Sequence, residues 1–277
     1  MYRVIKVLNN NGVIAIDVEE NQEYVLLGNG IGFGKKVCQR FEVKTECSRY
    51  SLKDNSEQVS ATSLAKSVEP IFWEIADEVL KEAERNFGSV DRRILFLLAD
   101  HISFAVARVK NGEQISNPLT GDIHILFYKE FQVASVLKKI LLDKMQIEIG
   151  DDEIGYVALH IHAAIEDEKV SVAMQIVRIL HECVEIIERE TGKKIAVMTM
   201  DFNRLMNHIK YMIARLLNKE ELKVDINDYI ETQFPRAFAI ATTLCDHLKE
   251  NIGIQPGRSE IGYLAIHIER TYNECGA

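Results

Sequence analysis

The period of the hydrophobic positions changes once along the chain, near residue 50. Before that point, short runs rich in β-branched and aromatic residues alternate with turn residues. Runs of this kind are typical of strands, and they predict strands at residues 2–8, 13–18, 23–27 and 41–47. Asn9-Asn10-Asn11-Gly12 predicts a tight turn between the first two, because Asn and Gly tolerate a positive φ. This all-β unit is too small to hold a large core, so we expect it to dimerise.

Beyond a polar stretch at residues 54–66, which reads as a linker, the hydrophobic residues recur at spacings of three and four. In the segment from Arg92 to Arg108, for example, Ile94, Leu98 and Ala105 fall on one helical face. The same period predicts helices at residues 71–86, 92–108, 128–145, 153–165, 172–190, 201–217, 234–250 and 260–272.

The helical part contains an internal repeat. The nonapeptide from Glu153 to Ile161 recurs from Glu260 to Ile268 at an offset of 107 residues, with seven of nine residues identical. The same offset relates Ala107-Arg108 to Ala214-Arg215, and Phe131 to Phe238. A repeat held in register over this length predicts two tandem all-α helical-bundle domains, at residues 57–169 and 170–277, after a small all-β domain at residues 1–56.

Composition narrows the class of protein. With 277 residues, 47% of them hydrophobic and 27% charged, the chain has enough apolar residues for packed cores. The net charge is −9, but residues 1–53 carry eight basic and six acidic residues, so the first module alone is slightly basic. Five cysteines show no metal-binding spacing and predict reduced thiols in the cytoplasm. No segment predicts a signal peptide or membrane insertion.

Each repeat carries two histidines 59 residues apart, His101 with His160 and His208 with His267. A histidine on an apolar helix face is most often a core or boundary side chain, and a duplicated domain also repeats its core positions. A pair on two helices can also form a metal site, a general base or a phosphoryl acceptor. The metal interpretation lacks a third ligand and an H-E-x-x-H motif. A hydrolase would need a nucleophile elbow or a phosphate-binding loop, and neither is found.

Four motifs together resemble one family. They are the opening I-K-V-L-N-N-N, the loop G-N-G-I-G-F-G-K-K, D-H-I-x-F-A around His101, and G-Y-x-A-x-H-I around His160 and His267. In this order they are similar to the BglG/LicT-type transcriptional antiterminators, which the sugar phosphotransferase system (PTS) controls. The I-G-F-G-K-K loop and A-L-H-I-H resemble the glucose-responsive, GlcT-like branch. The resemblance covers the whole chain.

The resemblance implies an N-terminal co-antiterminator (CAT) RNA-binding domain and two PTS regulation domains. A dimer of the first domain would bind a hairpin in the leader mRNA and prevent an overlapping terminator from forming. The RNA contacts carried over by the resemblance are Lys6, Asn9, Asn10, Asn11, Gly28, Asn29, Gly30 and Phe33. Asparagine amides suit unpaired base edges, and Phe33 suits stacking. Several relatives carry Arg or Lys where this chain has Asn29, which removes a phosphate-pairing charge.

The resemblance also implies that His101, His160, His208 and His267 are phosphorylated. The partners would be the B domain of a sugar permease for the first domain and the general phosphocarrier protein for the second. The added phosphate would attract Arg108 or Arg215, or repel Asp100. His162 has no counterpart in the repeat and is not expected to be a primary site. On this interpretation the protein is not an enzyme, needs no cofactor or metal, and does not bind DNA.

A different class, a DNA-binding activator with the same regulation domains, would require a helix-turn-helix or winged-helix segment before the repeat. Only the 50-residue β module precedes it here. A metal-dependent hydrolase that uses the histidine pairs is a third alternative, and it would contain stoichiometric metal.

Overall fold

The computed structural model describes residues 1–43, 46–52, 68–167, 169–196 and 199–273. These residues form two compact units. One comprises Met1–Thr120 with Phe127–Val170, and the other comprises Gly121–Leu126 with Ser171–Ala277. The linker predicted at residues 54–66 lies outside the described residues. The domain boundaries after residues 56 and 169 stay predictions.

The N-terminal residues form one antiparallel sheet with the strand order β4-β1-β2-β3-β5. Its strands are β1 Tyr2–Asn9, β2 Gly12–Asp17, β3 Gln22–Leu27, β4 Arg40–Phe41 and β5 Ser48–Ser51. The first three match the prediction from the sequence. Side chains alternate across the sheet, so Val4, Val13, Ala15 and Leu26 meet in a core beneath Ile31 and Phe41, with Tyr24 in the same cluster.

The predicted fourth strand, at residues 41–47, is wrong. Phe41 pairs with Tyr2 at one edge of the sheet, whereas Ser48 pairs with Leu27 at the other. The two pairings lie at opposite edges of the sheet, so one strand cannot include both residues. Of residues 41–47, the structure describes 41–43 and 46–47, and of these only Phe41 lies in a strand.

Helices and the loops between them form the rest of the described chain. The α-helices are α1 Pro70–Phe87, α2 Leu95–Lys110, α3 Thr120–Leu126, α4 Tyr128–Ala134, α5 Val136–Met145, α6 Asp151–Glu166, α7 Val170–Thr191, α8 Met200–Asn218, α9 Asn227–Gln233, α10 Pro235–Ile252 and α11 Arg258–Asn273. A single 3₁₀ turn, Arg92–Ile94, precedes α2. Helix α2 packs against α6, and α8 packs against α11. The fold class is therefore the predicted one, a small all-β domain followed by all-α domains.

Two helices were not predicted, and one predicted helix is broken. Helices α3 and α9 have seven residues each, about two turns, which is too short for a hydrophobic period to stand out. The helix predicted at residues 128–145 is interrupted at Ser135, so that it forms α4 and α5. The remaining predicted helices begin and end within about a turn of the observed ones.

Two further predictions from the sequence concern membrane insertion and the state of the cysteines. None of the described helices is long and apolar enough to cross a membrane. Cys38, Cys47, Cys183 and Cys245 are free thiols, as predicted for them, and Cys275 lies outside the described residues. Cys183 and Cys245 are buried in the core of the second unit, and burial raises the pKa of both thiols.

Gly32 lies where the loop after β3 presses against the first turn, and it allows a test of this packing. A Cβ atom added there would lie 2.0 Å from the backbone oxygen of Asn9, so the backbone would have to shift. We expect Gly32→Ala to lower the free energy of unfolding of the first unit by about 1–3 kcal/mol. Urea unfolding followed by the fluorescence of Trp73, the single tryptophan, measures this.

The control is Gly150→Ala in the same unit, because a Cβ atom at Gly150 would meet nothing within 4 Å and its φ of −80° suits alanine. That variant should change the free energy of unfolding by less than about 1 kcal/mol. Equal transitions for Gly32→Ala and the unchanged protein would contradict the described contact.

Candidate functional site

The turn between β1 and β2 and the glycine-rich loop after β3 form one surface. The backbone N–H groups of Gly28 and Gly32 donate to the carbonyls of Asn11 and Asn10, each at 2.9 Å. The side chain of Asn11 accepts from the N–H of Gly30 at 3.0 Å. Gly30 has a φ of 70°, a conformation that favours glycine. The two sequence motifs predicted to contact RNA are therefore adjacent in space.

The exposed side chains of this surface are suited to a nucleic acid. Phe33 is 72% exposed, which is unusual for an aromatic ring and leaves a face for a base to stack on. Asn10, Asn29 and Gly30 are also exposed, and Lys6 is exposed on β1. Asn9, Asn11 and Gly28 are half-buried. The amide of Asn9 binds the N–H of Asn11 through its oxygen at 2.9 Å, which fixes the shape of the turn.

In the first regulation domain, the two predicted histidines meet across α2 and α6. The ring centroids of His101 and His160 are 5.2 Å apart. Nδ1 of His160 lies 2.8 Å from the carbonyl oxygen of Tyr156. A carbonyl can only accept, so Nδ1 carries the hydrogen and Nε2 of the neutral ring keeps its lone pair. Burial, and then the nearby His101, lower the pKa of His160 to about 4. The imidazole of His160 is therefore neutral at pH 7.

A buried ion pair lies beside this histidine pair. Glu153 is 4% exposed, and its two oxygens accept from Nε and Nη2 of Arg108, each at 2.9 Å. Nε2 of His101 lies 3.3 Å from the same carboxylate. Burial acts to raise the pKa of Glu153, but the nearby His101 and the hydrogen bonds from Arg108 outweigh it and hold the pKa below its usual value. The carboxylate is charged and neutralises the arginine.

The second regulation domain repeats this arrangement on α8 and α11. The ring centroids of His208 and His267 are 4.7 Å apart. Arg215 binds both oxygens of Glu260 at 2.8 Å each, and Nε2 of His208 lies 3.8 Å from Glu260. Burial, and then the charge of His267, lower the pKa of His208 to about 3. Burial also lowers the pKa of His267.

His162, the neighbour of His160, has a different environment. It is 2% exposed, its Nδ1 lies 2.9 Å from Glu130, and its ring lies 4.0 Å from that of Phe127. No three His, Cys, Asp or Glu side chains of the described residues are placed to hold a metal ion.

Analysis of the sequence missed the glutamates of both regions. Glu153 and Glu260 begin the repeated nonapeptide, and Arg108 and Arg215 lie within the same repeat, so the signal was present. Their pairing, however, joins residues 45 apart, and no helical spacing predicts it. Glu74 was also missed. Its carboxylate binds the amides of both Asn9 and Asn11, and nothing in the pattern of α1 distinguishes it from the other half-buried glutamates of that helix.

Comparison with known proteins agrees with this geometry. The model of the CAT RNA binding domain matches residues 2–59, and that of the PRD domain matches residues 73–164 and 181–271. The chain belongs to the BglG/LicT-type antiterminator family. Members of this family join an RNA-binding domain to two regulation domains, which is the order of the sheet and the two histidine clusters here.

Individual relatives of this family align over nearly the whole chain. The chain is 29% identical to the protein GlcT of Staphylococcus haemolyticus, over 100% of this chain and 98% of the relative. It is 26% identical to the β-glucoside operon antiterminator of Dickeya chrysanthemi, over 98% and 97%. A crystal structure of GlcT CAT-PRDI is 34% identical, with a TM-score of 0.52, and covers 59% of this chain and 98% of its own. The GlcT-like resemblance is confirmed.

The depressed pKa of His160 makes stability depend on pH. A histidine with a pKa of about 4 when folded and 6.5 when unfolded stabilises the fold fully above pH 6.5. This contribution is lost as the pH falls towards 4, because the unfolded chain binds the proton first. We expect the free energy of unfolding to fall by about 3 kcal/mol between pH 6.5 and pH 4. This fall should be absent in His160→Gln. Urea unfolding followed by Trp73 fluorescence measures it, and parallel pH profiles would contradict it.

Proposed function

We propose that this protein is an RNA-binding transcriptional antiterminator whose activity is switched by histidine phosphorylation. As a homodimer, it binds a hairpin in a leader mRNA and prevents an overlapping terminator from forming. The observation that carries the proposal is the duplicated cluster of two histidines, one glutamate and one arginine, on a chain that begins with an RNA-binding domain. Similarity to GlcT and to the GlcA/glcB genes antiterminator of Staphylococcus carnosus, 27% identical over 96% of this chain, supports it.

The residues proposed to contact RNA are Lys6, Asn9, Asn10, Asn11, Gly28, Asn29, Gly30 and Phe33. Their chemistry supports a hairpin with unpaired bases as the target. Amides donate to and accept from base edges, glycines let the backbone approach, and an exposed ring stacks on a base that has left the helix. Asn29 supplies no charge, so phosphate binding falls to other groups of the module.

Phe33 provides a direct test of this RNA surface. Base stacking on an aromatic ring contributes about 1–3 kcal/mol per base, so Phe33→Ala should weaken hairpin binding by roughly 5-fold to 150-fold. Because the ring is 72% exposed, stability should not change. The probe is an imperfect hairpin selected by the full chain from a pool with randomised internal loops, and the assay is a filter or gel-shift titration.

Val37→Ala is the matched control, because Val37 is 62% exposed and lies four residues further along the chain. It should bind the hairpin like the unchanged protein. If Phe33→Ala binds equally well, the stacking role is wrong. If no hairpin of the pool binds the unchanged chain at all, the RNA-binding proposal fails.

The regulatory part of the proposal concerns His101, His160, His208 and His267. A neutral imidazole nitrogen can attack a phosphoryl group carried by another protein, so that the donor's bond to phosphorus breaks as the new P–N bond forms. The low pKa values of His160 and His208 keep these rings neutral at pH 7. We infer that the permease B domain donates to the first pair and the general phosphocarrier protein to the second. The protein itself performs no enzymatic turnover.

The phosphoryl group would compete with the buried glutamate for the arginine. It brings about −1.5 to −2 charges, and Glu153 already binds the Nε and Nη2 donors of Arg108. Once Arg108 turns to the phosphate, Glu153 is a buried carboxylate with no cation, a state that costs several kcal/mol. Phosphorylation would therefore disturb the contact between α2 and α6.

Reconstituted phosphotransfer tests this part. The full chain is incubated with phosphoenolpyruvate and the two general PTS proteins, with and without a permease B domain. Acid-labile phosphate is mapped by mass spectrometry, and hairpin binding is measured in the same samples. We expect label on the four paired histidines, with B-domain-dependent label on the first pair weakening RNA binding. His181→Ala, which alters a histidine outside both pairs, is the control. No label on any paired histidine would end the regulatory proposal.

The same assay tests the role of Glu153. Glu153→Gln removes the charge that competes for Arg108, so the steady-state phosphorylation of the first pair should rise by about tenfold at a fixed donor concentration. Asp152→Asn is the matched control. It removes the same charge from the adjacent residue, whose carboxylate binds Thr120 and not the arginine. An equal rise in both variants would show only a general charge effect.

A further inference from the structure

One carboxylate of the first regulation domain is bound to the RNA surface. Glu74, on α1, accepts from Nδ2 of Asn9 at 2.5 Å and from Nδ2 of Asn11 at 3.1 Å, one on each oxygen. The amide oxygens of the two asparagines are bound elsewhere, that of Asn9 to the N–H of Asn11 and that of Asn11 to the N–H of Gly30. The side-chain oxygens of the two asparagines thus fix the shape of the surface. The N–H groups of the same side chains bind Glu74 and so hold α1.

Neighbouring contacts hold α1 in this place. The hydroxyl of Tyr50, on β5, donates to Asp77, and both side chains are buried. Asp77 also pairs with Lys81 at 2.8 Å. The guanidinium carbon of Arg92 lies 5.7 Å from the ring centroid of Tyr50. The contact of Glu74 is therefore one of several between the sheet and the first regulation domain, and it is not an isolated surface pair.

The chemistry of this contact is that of an anion on hydrogen-bond donors. A carboxylate presents two acceptor oxygens, as a phosphate diester does, and uses the same N–H groups that a phosphate or a base acceptor of RNA would use. It also places a negative charge within the surface that a polyanion must approach. A hairpin that uses the amides of Asn9 and Asn11 must first displace Glu74.

We propose that α1 docks on the RNA-binding surface through Glu74, so that this helix and the RNA compete for Asn9 and Asn11. The proposal rests on the proposed RNA contacts of these two asparagines. The conformation with Glu74 bound is the closed form of the surface, and hairpin binding requires the open form. The apparent affinity for RNA is then lowered by the small fraction of molecules that are open.

Substitution of Glu74 in the full chain tests the competition. Glu74→Gln keeps the shape but removes the charge, and Glu74→Lys reverses it. We expect the selected hairpin to bind about tenfold more tightly to the first variant, which is the loss of roughly 1.4 kcal/mol from a charge-assisted contact. Binding to the second should be tighter still. A gain of affinity cannot result from a damaged fold, and a matched control separates it from a general change of charge.

Glu78→Gln is the matched control. Glu78 lies one turn further along α1 and pairs with Lys144 at 2.8 Å, so its loss changes the same charge without touching the asparagine turn. Hairpin affinity of this variant should equal that of the unchanged chain. If it tightens as much as Glu74→Gln, the effect is a general change of charge and the proposed competition is wrong.

Alkylation of Cys47 by iodoacetamide reports opening without RNA. Burial and then the charge of Asp77 raise the pKa of this thiol, because it lies near α1. When α1 leaves, Cys47 should react several-fold faster, whereas the exposed Cys38 serves as an internal reference. Peptide mapping by mass spectrometry separates the two. We expect faster labelling of Cys47 in Glu74→Lys than in Glu78→Gln.

The outcomes separate this inference from the proposed function. If neither Glu74 variant nor the unchanged chain binds any selected hairpin, the RNA-binding proposal fails. If all bind with equal affinity, the RNA surface stands and the competition with Glu74 is overturned. Weaker binding by both Glu74 variants also overturns it, and would make Glu74 a residue that positions the asparagines for RNA.

Discussion

A buried carboxylate must keep a cation, and this constraint organises both regulation domains. Glu153 and Glu260 are 4% and 3% exposed, and an ionised carboxylate so far from water costs several kcal/mol unless a charged donor faces it. Arg108 and Arg215 meet that need with two hydrogen bonds each. In doing so they fix α2 on α6 and α8 on α11, and the histidine pairs lie at these same helix contacts.

The same chemistry recurs at the RNA surface. Glu74 occupies the amide N–H groups of Asn9 and Asn11, as Glu153 and Glu260 occupy the two arginines. In each place an internal carboxylate fills donors that a phosphate also suits. On the proposed function, an arriving phosphate, whether on a histidine or in an RNA backbone, would act by exchange of anions. Such an exchange needs only a modest difference between the affinities of the carboxylate and the phosphate for these donors. The donors keep a hydrogen-bond partner before and after the exchange.

The sequence predicted the parts of the molecule that depend on local pattern. The offset of 107 residues identified both histidine pairs, since duplicated helices place equivalent residues alike. The opening strands and the long helices followed from their periods. The fourth strand was misplaced because Phe41 and Ser48 pair at opposite edges of the sheet, and α3 and α9 are too short to show a period. Glu74 could not be found, since its hydrogen bonds span 65 and 63 residues and depend on how α1 packs.

The first histidine pair has a physical route to the RNA surface, because both lie in the same compact unit. Trp73 precedes Glu74 on α1, and its ring meets that of Phe96 edge to face at 6.2 Å. Phe96 is on α2, the helix that carries His101 and Arg108. Both aromatic rings are almost fully buried, and close-packed cores transmit displacements instead of absorbing them. A shift of α2 that follows the loss of the Arg108–Glu153 pair would therefore act on α1 at the residue next to Glu74. Spatial continuity alone does not establish coupling; it also requires an element with two positions, and the proposed docking of Glu74 makes α1 that element.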